Sequence, residues 1–171
     1  GGIKFGMRAA QGAIEDFSID PLTLEPMLMT IGDVRPKGVC GSGLITIVAA
    51  LLEAGVIDGR GKFDCSLKHE RLRETDGVCE YVLAWANETQ IGRDITLSED
   101  DIDNLIRAKG AIFSGFQTLL EEVGLTIEDV DRIVLAGGFG SYVDLEKAMT
   151  IGLLPEVDPE KITYIGNGSL M

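Results

Sequence analysis

Residues 132–141 read Arg132-Ile133-Val134-Leu135-Ala136-Gly137-Gly138-Phe139-Gly140-Ser141, an apolar β-type run that empties into glycines. A strand ending this way lets main chain approach a flat or charged ligand closely, because no Cβ intervenes and positive φ is accessible. An α/β fold places a nucleotide at such a turn. The same cluster also serves an ordinary strand-to-helix turn with nothing bound, and taken alone the motif leaves both readings open.

Upstream of this strand lies the clearest helix signal in the chain. Ser98 with Asp101 three residues on forms a capping box, and Glu99, Asp100, Asp101 and Asp103 complement the helix dipole, which accounts for the acidic run without a metal. Ile102, Leu105, Ile106, Ile112, Phe113, Phe116, Leu119 and Leu120 then recur at helical spacing. Lys109 stands within that pattern beside Gly110. It is either a solvated helix lysine or a cation facing the glycine turn, within reach of a ribose or phosphate. Thr126 and Asp129 form a second capping box just before the glycine-ended strand.

Nearer the start, 13–19 and 26–31 read as two strands joined by a turn at Asp20-Pro21. Gly41-Ser42-Gly43, preceded by Cys40, leads into the apolar run 44–52, a buried helix that ends near Gly55. Main-chain N–H groups at this helix start suit a phosphate. Cys40 there is either a small buried packing residue or a thiol activated by the helix terminus, and anion contact is the preferred chemistry for the turn. Residues 58–80 read as a polar, weakly specified connector in which Lys68, His69 and Arg71 cluster; 81–85 and 162–165 read as strands, and Asp158-Pro159 as a helix start. Helices alternating with short apolar strands predict an α/β domain with a central mixed or parallel sheet.

With 171 residues, 45% hydrophobic and 25% charged, the chain holds one sizeable core. Its net charge of −13 argues against a nucleic-acid or anionic-membrane partner. Cys40, Cys65 and Cys79 are odd in number and contain no C-x-x-C pair, so they predict neither a disulfide framework nor a metal site. Together with the lack of a signal or membrane-spanning stretch they point to the cytoplasm. The opening Gly1-Gly2-Ile3-Lys4 and the glycine-rich close predict a piece of a longer protein. No P-loop, complete G-x-G-x-x-G fingerprint or nucleophile elbow is present. His69, the sole histidine, sits in a charged connector and reads as a solvated side chain, which argues against Ser–His–Asp catalysis.

The glycine-ended strand with the helix segment Arg107-Ala108-Lys109-Gly110-Ala111-Ile112 resembles the adenosine motif of the actin, sugar-kinase and heat-shock-chaperone ATPases. Together with residues 6–15, 38–45, 135–141 with Ala148, 151–155 and 165–170, these segments resemble the C-terminal region of the ATP-dependent reductive activators of corrinoid proteins. The resemblance implies a ribonuclease H-like, actin-like ATPase lobe with a central mixed sheet flanked by helices, spanning 1–171 as the second nucleotide-binding lobe. It also implies an adenosine site at Gly137, Gly138, Phe139, Gly140 and Ser141 facing Lys109, with phosphate contacts at Gly41, Ser42 and Gly43. ATP or ADP with Mg2+ would bind the full-length protein, whose iron–sulfur cluster lies upstream of this chain.

The function so implied is reduction of cob(II)alamin to cob(I)alamin in a corrinoid partner, with a homodimer left open. The Asp-bearing phosphate loops of the family are absent from this sequence, so no residue here is assigned to catalysis or to a metal, and the chain alone should be inactive as an ATPase. Two further readings stand beside it: a sugar or acyl-phosphate kinase lobe of the same superfamily, and a non-catalytic nucleotide-sensing or dimerisation module.

Overall fold

The computed structural model describes residues 2–136, 149 and 157–165. Strands β1 (Ala13–Ile19) and β2 (Pro26–Thr30) form an antiparallel hairpin, and β3 (Gly38–Val39) joins β1 on its other side in parallel. The register slips between Ile14 and Asp16, a bulge that leaves Ile14 and Phe17 both facing the core. Helix α1 (Gly41–Glu53) packs across β1, burying Leu44, Ile45, Ile47, Val48 and Leu51, and ends at Gly55 with φ +77.

A second antiparallel sheet runs β4 (Leu72–Thr75), β5 (Val78–Ala84), β6 (Ile95–Ser98), with β5 central. Its β4–β5 turn is Asp76-Gly77, with φ +53 and +79, the left-handed pair that a tight hairpin requires. The supposed connector 58–80 therefore carries a strand, a hairpin turn and the start of another strand. Strand 81–85 of the sequence reading belongs to this antiparallel sheet and not to the pair formed by β7 (Ile133–Ala136) and β8 (Ile162–Ile165), which lie parallel in register Ile133↔Ile162.

Helix α2 (Glu99–Glu122) starts as its capping box requires: Ser98 Oγ accepts the Asp101 N–H at 3.1 Å, and Asp101 Oδ2 accepts the Ser98 N–H at 3.0 Å. The other oxygen of Asp101 accepts the N–H of Lys4 at 3.1 Å, tying the opening segment to this helix. Thr126 N–H likewise donates to Asp129 at 2.8 Å, at a short 3-10 turn.

Tyr81 joins the two three-stranded sheets. Its ring meets Phe17 edge-on, with centroids 6.4 Å apart, and its hydroxyl donates to Leu24 O at 2.9 Å. Burial holds the phenol far above its ordinary pKa, so it remains a donor across the working pH range. One cluster thus contains Phe17, Ile45, Val48, Tyr81, Leu83, Ile95 and Ile102, with Met149 packed against it.

Two expectations need correction. Cys65 and Cys79 are joined as a disulfide, Cα atoms 6.7 Å apart, because the 58–67 loop folds back on β5. The pairing removes the cysteine argument for a reducing compartment. His69 is a structural clasp and not a solvated side chain: Nδ1 accepts the Arg71 N–H at 3.1 Å, which leaves Nε2 to donate to Thr23 O at 2.8 Å. No helix among the described residues is long and apolar enough to cross a membrane.

The 58–67 loop supplies a pH prediction. Asp58 Oδ1 accepts N–H groups from Lys62 at 3.0 Å and Arg60 at 2.9 Å, and these donors hold its carboxyl below the ordinary 3.8. A depressed carboxylate stabilises the fold fully above the unfolded value and ceases to do so as pH falls through the folded one. The Arg60 and Lys62 amide resonances should therefore hold steady above about pH 4 and move together below it. In Asp58→Asn that joint acid transition should vanish; its persistence would assign it to another group.

Candidate functional site

The candidate phosphate turn sits where sequence placed it, at the start of α1. The N-cap Cys40 offers no side-chain acceptor and the first turn contains no acid, so the helix begins without either common substitute for an anion. Cys40 is buried, and its Sγ–H donates to Ile14 O at 3.3 Å, which is the packing role and not that of an exposed nucleophile. Its sulfur also lies 3.5 Å from Ser42 Oγ.

The three residues of the turn differ in what surrounds them. A side chain added at Gly41 would meet open space, and Gly41 is exposed. Ser42 is half-buried, and its carbonyl accepts the Thr46 hydroxyl at 3.0 Å within the helix. Gly43 is buried, and a Cβ there would run into the main-chain carbonyl of Ile14. Sequence reasoning treated the glycines alike; the packed structure gives Gly43 the task of seating α1 on β1 and leaves Gly41 as the open one.

Lys109 lies on α2, but its side chain falls outside the description. Strand β7 ends at Ala136, and Gly137, Gly138, Phe139, Gly140 and Ser141 lie beyond the described residues. A groove of about 380 Å3 between β1 and the C-terminal half of α1, lined by Phe17, Ile19, Pro21, Ala49, Ala50 and Glu53, is at the other end of that helix from Gly41 and offers no helix-start amides. Among the described residues no group of three or more His, Cys, Asp or Glu side chains is placed to hold a metal ion.

Mixed α/β layers over one core, with a helix launched from the end of a short parallel strand, belong here to the actin-like ASKHA class, as the family model and a solved structure show. Within that class the chain belongs to the family described as the C-terminal domain of RACo, the ASKHA domain, whose model matches residues 1–171. It is 34% identical over 98% of its length to the corrinoid activation enzyme RamQ of Eubacterium limosum. It is 29% identical over 99% of its length to a [Co(II) methylated amine-specific corrinoid protein] reductase of Methanosarcina barkeri. The solved structure of a reductive activator for a corrinoid, iron–sulfur protein superposes with a TM-score of 0.85 and 52% identity, over 99% of this chain and 27% of that one. The chain spans 29% and 31% of the lengths of the two curated relatives.

Proposed function

We propose that this chain is the adenine-nucleotide-binding lobe of an ATP-dependent reductive activator, a protein that reduces the cobalt of a corrinoid partner from Co(II) to Co(I). The observation that carries the proposal is the family match across residues 1–171, with relatives named as corrinoid activators. The uncapped start of α1 supports it, since unpaired N–H groups at a helix start suit phosphate oxygens.

In this reading Gly41 and Ser42 approach the phosphates, and Gly43 holds α1 in place beneath them. Gly137, Gly138, Phe139, Gly140 and Ser141 carry the adenosine, and Lys109 supplies the cation across from them. ATP with Mg2+, when bound, would supply the driving energy, and an iron–sulfur cluster elsewhere in the parent would supply the one electron by which each Co(II) becomes Co(I). No acid on this chain is assigned to hydrolysis. Phosphoryl transfer depends on a positioned metal and an in-line nucleophile, which the opposing lobe must bring.

Calorimetry separates the contributions of the two lobes. The 171-residue chain should bind ATP at least roughly tenfold more weakly than its parent and hydrolyse it no faster than background, because half of a two-lobed cleft keeps only half of the contacts. In the parent, Gly138→Asp should suppress ATP-dependent Co(I) formation while the cluster's own spectrum is unchanged. Metal-dependent turnover by the chain alone, or normal Co(I) formation by the variant, would overturn the assignment.

A further inference from the structure

The chain is strongly acidic, with 28 Asp and Glu against 15 Lys and Arg, yet three of its segments carry the opposite sign. Three segments, 2–12, 31–41 and 86–93, contain Lys4, Arg8, Arg35, Lys37 and Arg93 against only Asp33 and Glu88. The fold laces these segments together. Met7 N–H donates to Val39 O and Val39 N–H to Phe5 O, both at 2.9 Å. Lys37 N–H donates to Gly12 O at 2.8 Å, and Gln90 clasps the 35–36 backbone through Nε2 to Arg35 O at 2.7 Å and N–H to Pro36 O at 2.9 Å. Arg35 reaches Asn87 O at 3.1 Å. Lys4 Nζ and Arg93 Cζ each lie 5.5 Å from the centre of the Phe5 ring, so the two cations share one buried aromatic support.

All five cations belong to exposed residues, and none forms an ion pair among the described residues. Of the two acids in these segments, Glu88 is occupied by the Trp85 N–H at 2.9 Å. Elsewhere the chain does pair its cations: Lys62 with Glu99 and Asp103, Arg71 with Glu25, Arg73 with Glu80 and Asp94. Five exposed cations without ion-pair partners among the described residues, on three segments that hydrogen bonds lace together in a chain of net charge −13, make a local field that attracts a compact acidic surface.

We infer that the face formed by Lys4, Arg8, Arg35, Lys37 and Arg93 docks an acidic protein surface. A long polyanion such as nucleic acid fits less well. Its charge would continue past the patch onto the acidic remainder of the chain, and Phe5 is buried beneath the cations and offers no stacking platform. A membrane fits less well too, because among the large apolar side chains of these segments only Ile91 is exposed.

The test uses fluorescently labelled poly-L-glutamate as the acidic-polypeptide probe, with the full chain, at low ionic strength. Binding should be lost on raising salt to about 0.3 M. Arg8→Gln with Lys37→Gln, at two exposed residues whose side chains form no hydrogen bond or ion pair among the described residues, should weaken it at least roughly tenfold, and Arg8→Glu with Lys37→Glu further still. Arg60→Gln with Lys68→Gln, on the 58–71 stretch, should leave it within about twofold. Unchanged thermal melting of the Gln pair keeps a folding defect from imitating the result. The inference is overturned if the Arg8 and Lys37 pair binds poly-L-glutamate like the unaltered chain. It is overturned as well if duplex DNA or phosphatidylserine vesicles bind this face more tightly than poly-L-glutamate at the same salt. Loss of ATP affinity in the Gln pair with poly-L-glutamate binding retained would reassign the cations to the nucleotide and likewise overturn it.

Discussion

Gly43→Ala is expected to destabilise the chain by about 3 kcal/mol or more, read as a lowered urea midpoint at constant slope. The obstacle is a main-chain carbonyl, that of Ile14, and not the end of a flexible side chain. It cannot rotate aside without losing the bonds that tie β1 to the start of α1, because the Ile14 carbonyl already accepts both Cys40 N–H at 3.4 Å and Cys40 Sγ–H at 3.3 Å. Relief therefore requires α1 to lift off β1, opening a contact that buries Leu44, Ile45, Val48 and Leu51. Gly41→Ala is the matched control, two residues earlier in the same turn, where an added methyl meets open space. It should change stability by less than about 1 kcal/mol, in the stabilising direction if at all, since alanine restricts the unfolded chain. Equal midpoints for the two variants would mean that α1 does not sit on β1 as described.

Arg71→Ala should cost about 2–4 kcal/mol, far more than removing its carboxylate partner. The Arg71 side chain is only 9% exposed; Nε donates to Glu25 Oε2 at 2.9 Å, and Nη1 to Val82 O at 3.0 Å and Leu83 O at 3.4 Å. The guanidinium carbon also stacks 5.3 Å from the centre of the Trp85 ring. Truncation strips these carbonyls of a charged donor in the interior and empties the space beside the indole. Glu25, by contrast, is 45% exposed and returns to water, so Glu25→Gln should cost under about 1 kcal/mol. Arg71→Lys should recover less than half of the loss, because a single ammonium cannot reproduce the planar fork and the stack at once. Equal losses from Arg71→Ala and Glu25→Gln in chemical denaturation would place the energy in the ion pair and refute the carbonyl account.

The sequence was legible where backbone chemistry is local. Ser98 and Asp101 announce the start of α2, Gly55 the end of α1, and the Asp20-Pro21 break separates β1 from β2. It was opaque where partners come from far along the chain. Nothing near His69 shows that its ring will close on Thr23, and nothing in the spacing of Cys65 and Cys79 shows that a folded loop joins them. The β4–β5 hairpin did leave a signal, the dipeptide Asp76-Gly77, but β5 is buried along nearly its whole length and lacks the alternation that marks a half-buried strand. At the candidate site, the helix start at Gly41 could be read from composition, whereas the separate work of Gly43 depends on a carbonyl nearly thirty residues upstream. The assignment of Gly137 to Ser141 to a nucleotide comes from the resemblance of the glycine-ended strand to the adenosine motif, and Gly138→Asp in the parent tests it.

The bond from Lys4 N–H to Asp101 joins residues 97 apart. On a ribosome, the opening segment therefore emerges long before the carboxylate that will fasten it has been translated. At synthesis rates of about 5–20 residues per second, that interval lasts several seconds. Throughout it the first hairpin, α1 and the pairing of Phe5 and Met7 with Val39 can assemble, but the Lys4 N–H lacks its carboxylate acceptor until the first turn of α2 clears the exit tunnel. All strands of the second sheet are thus translated before the opening segment is fastened to α2, and a nascent chain halted short of Asp101 keeps the Lys4 end of that segment free.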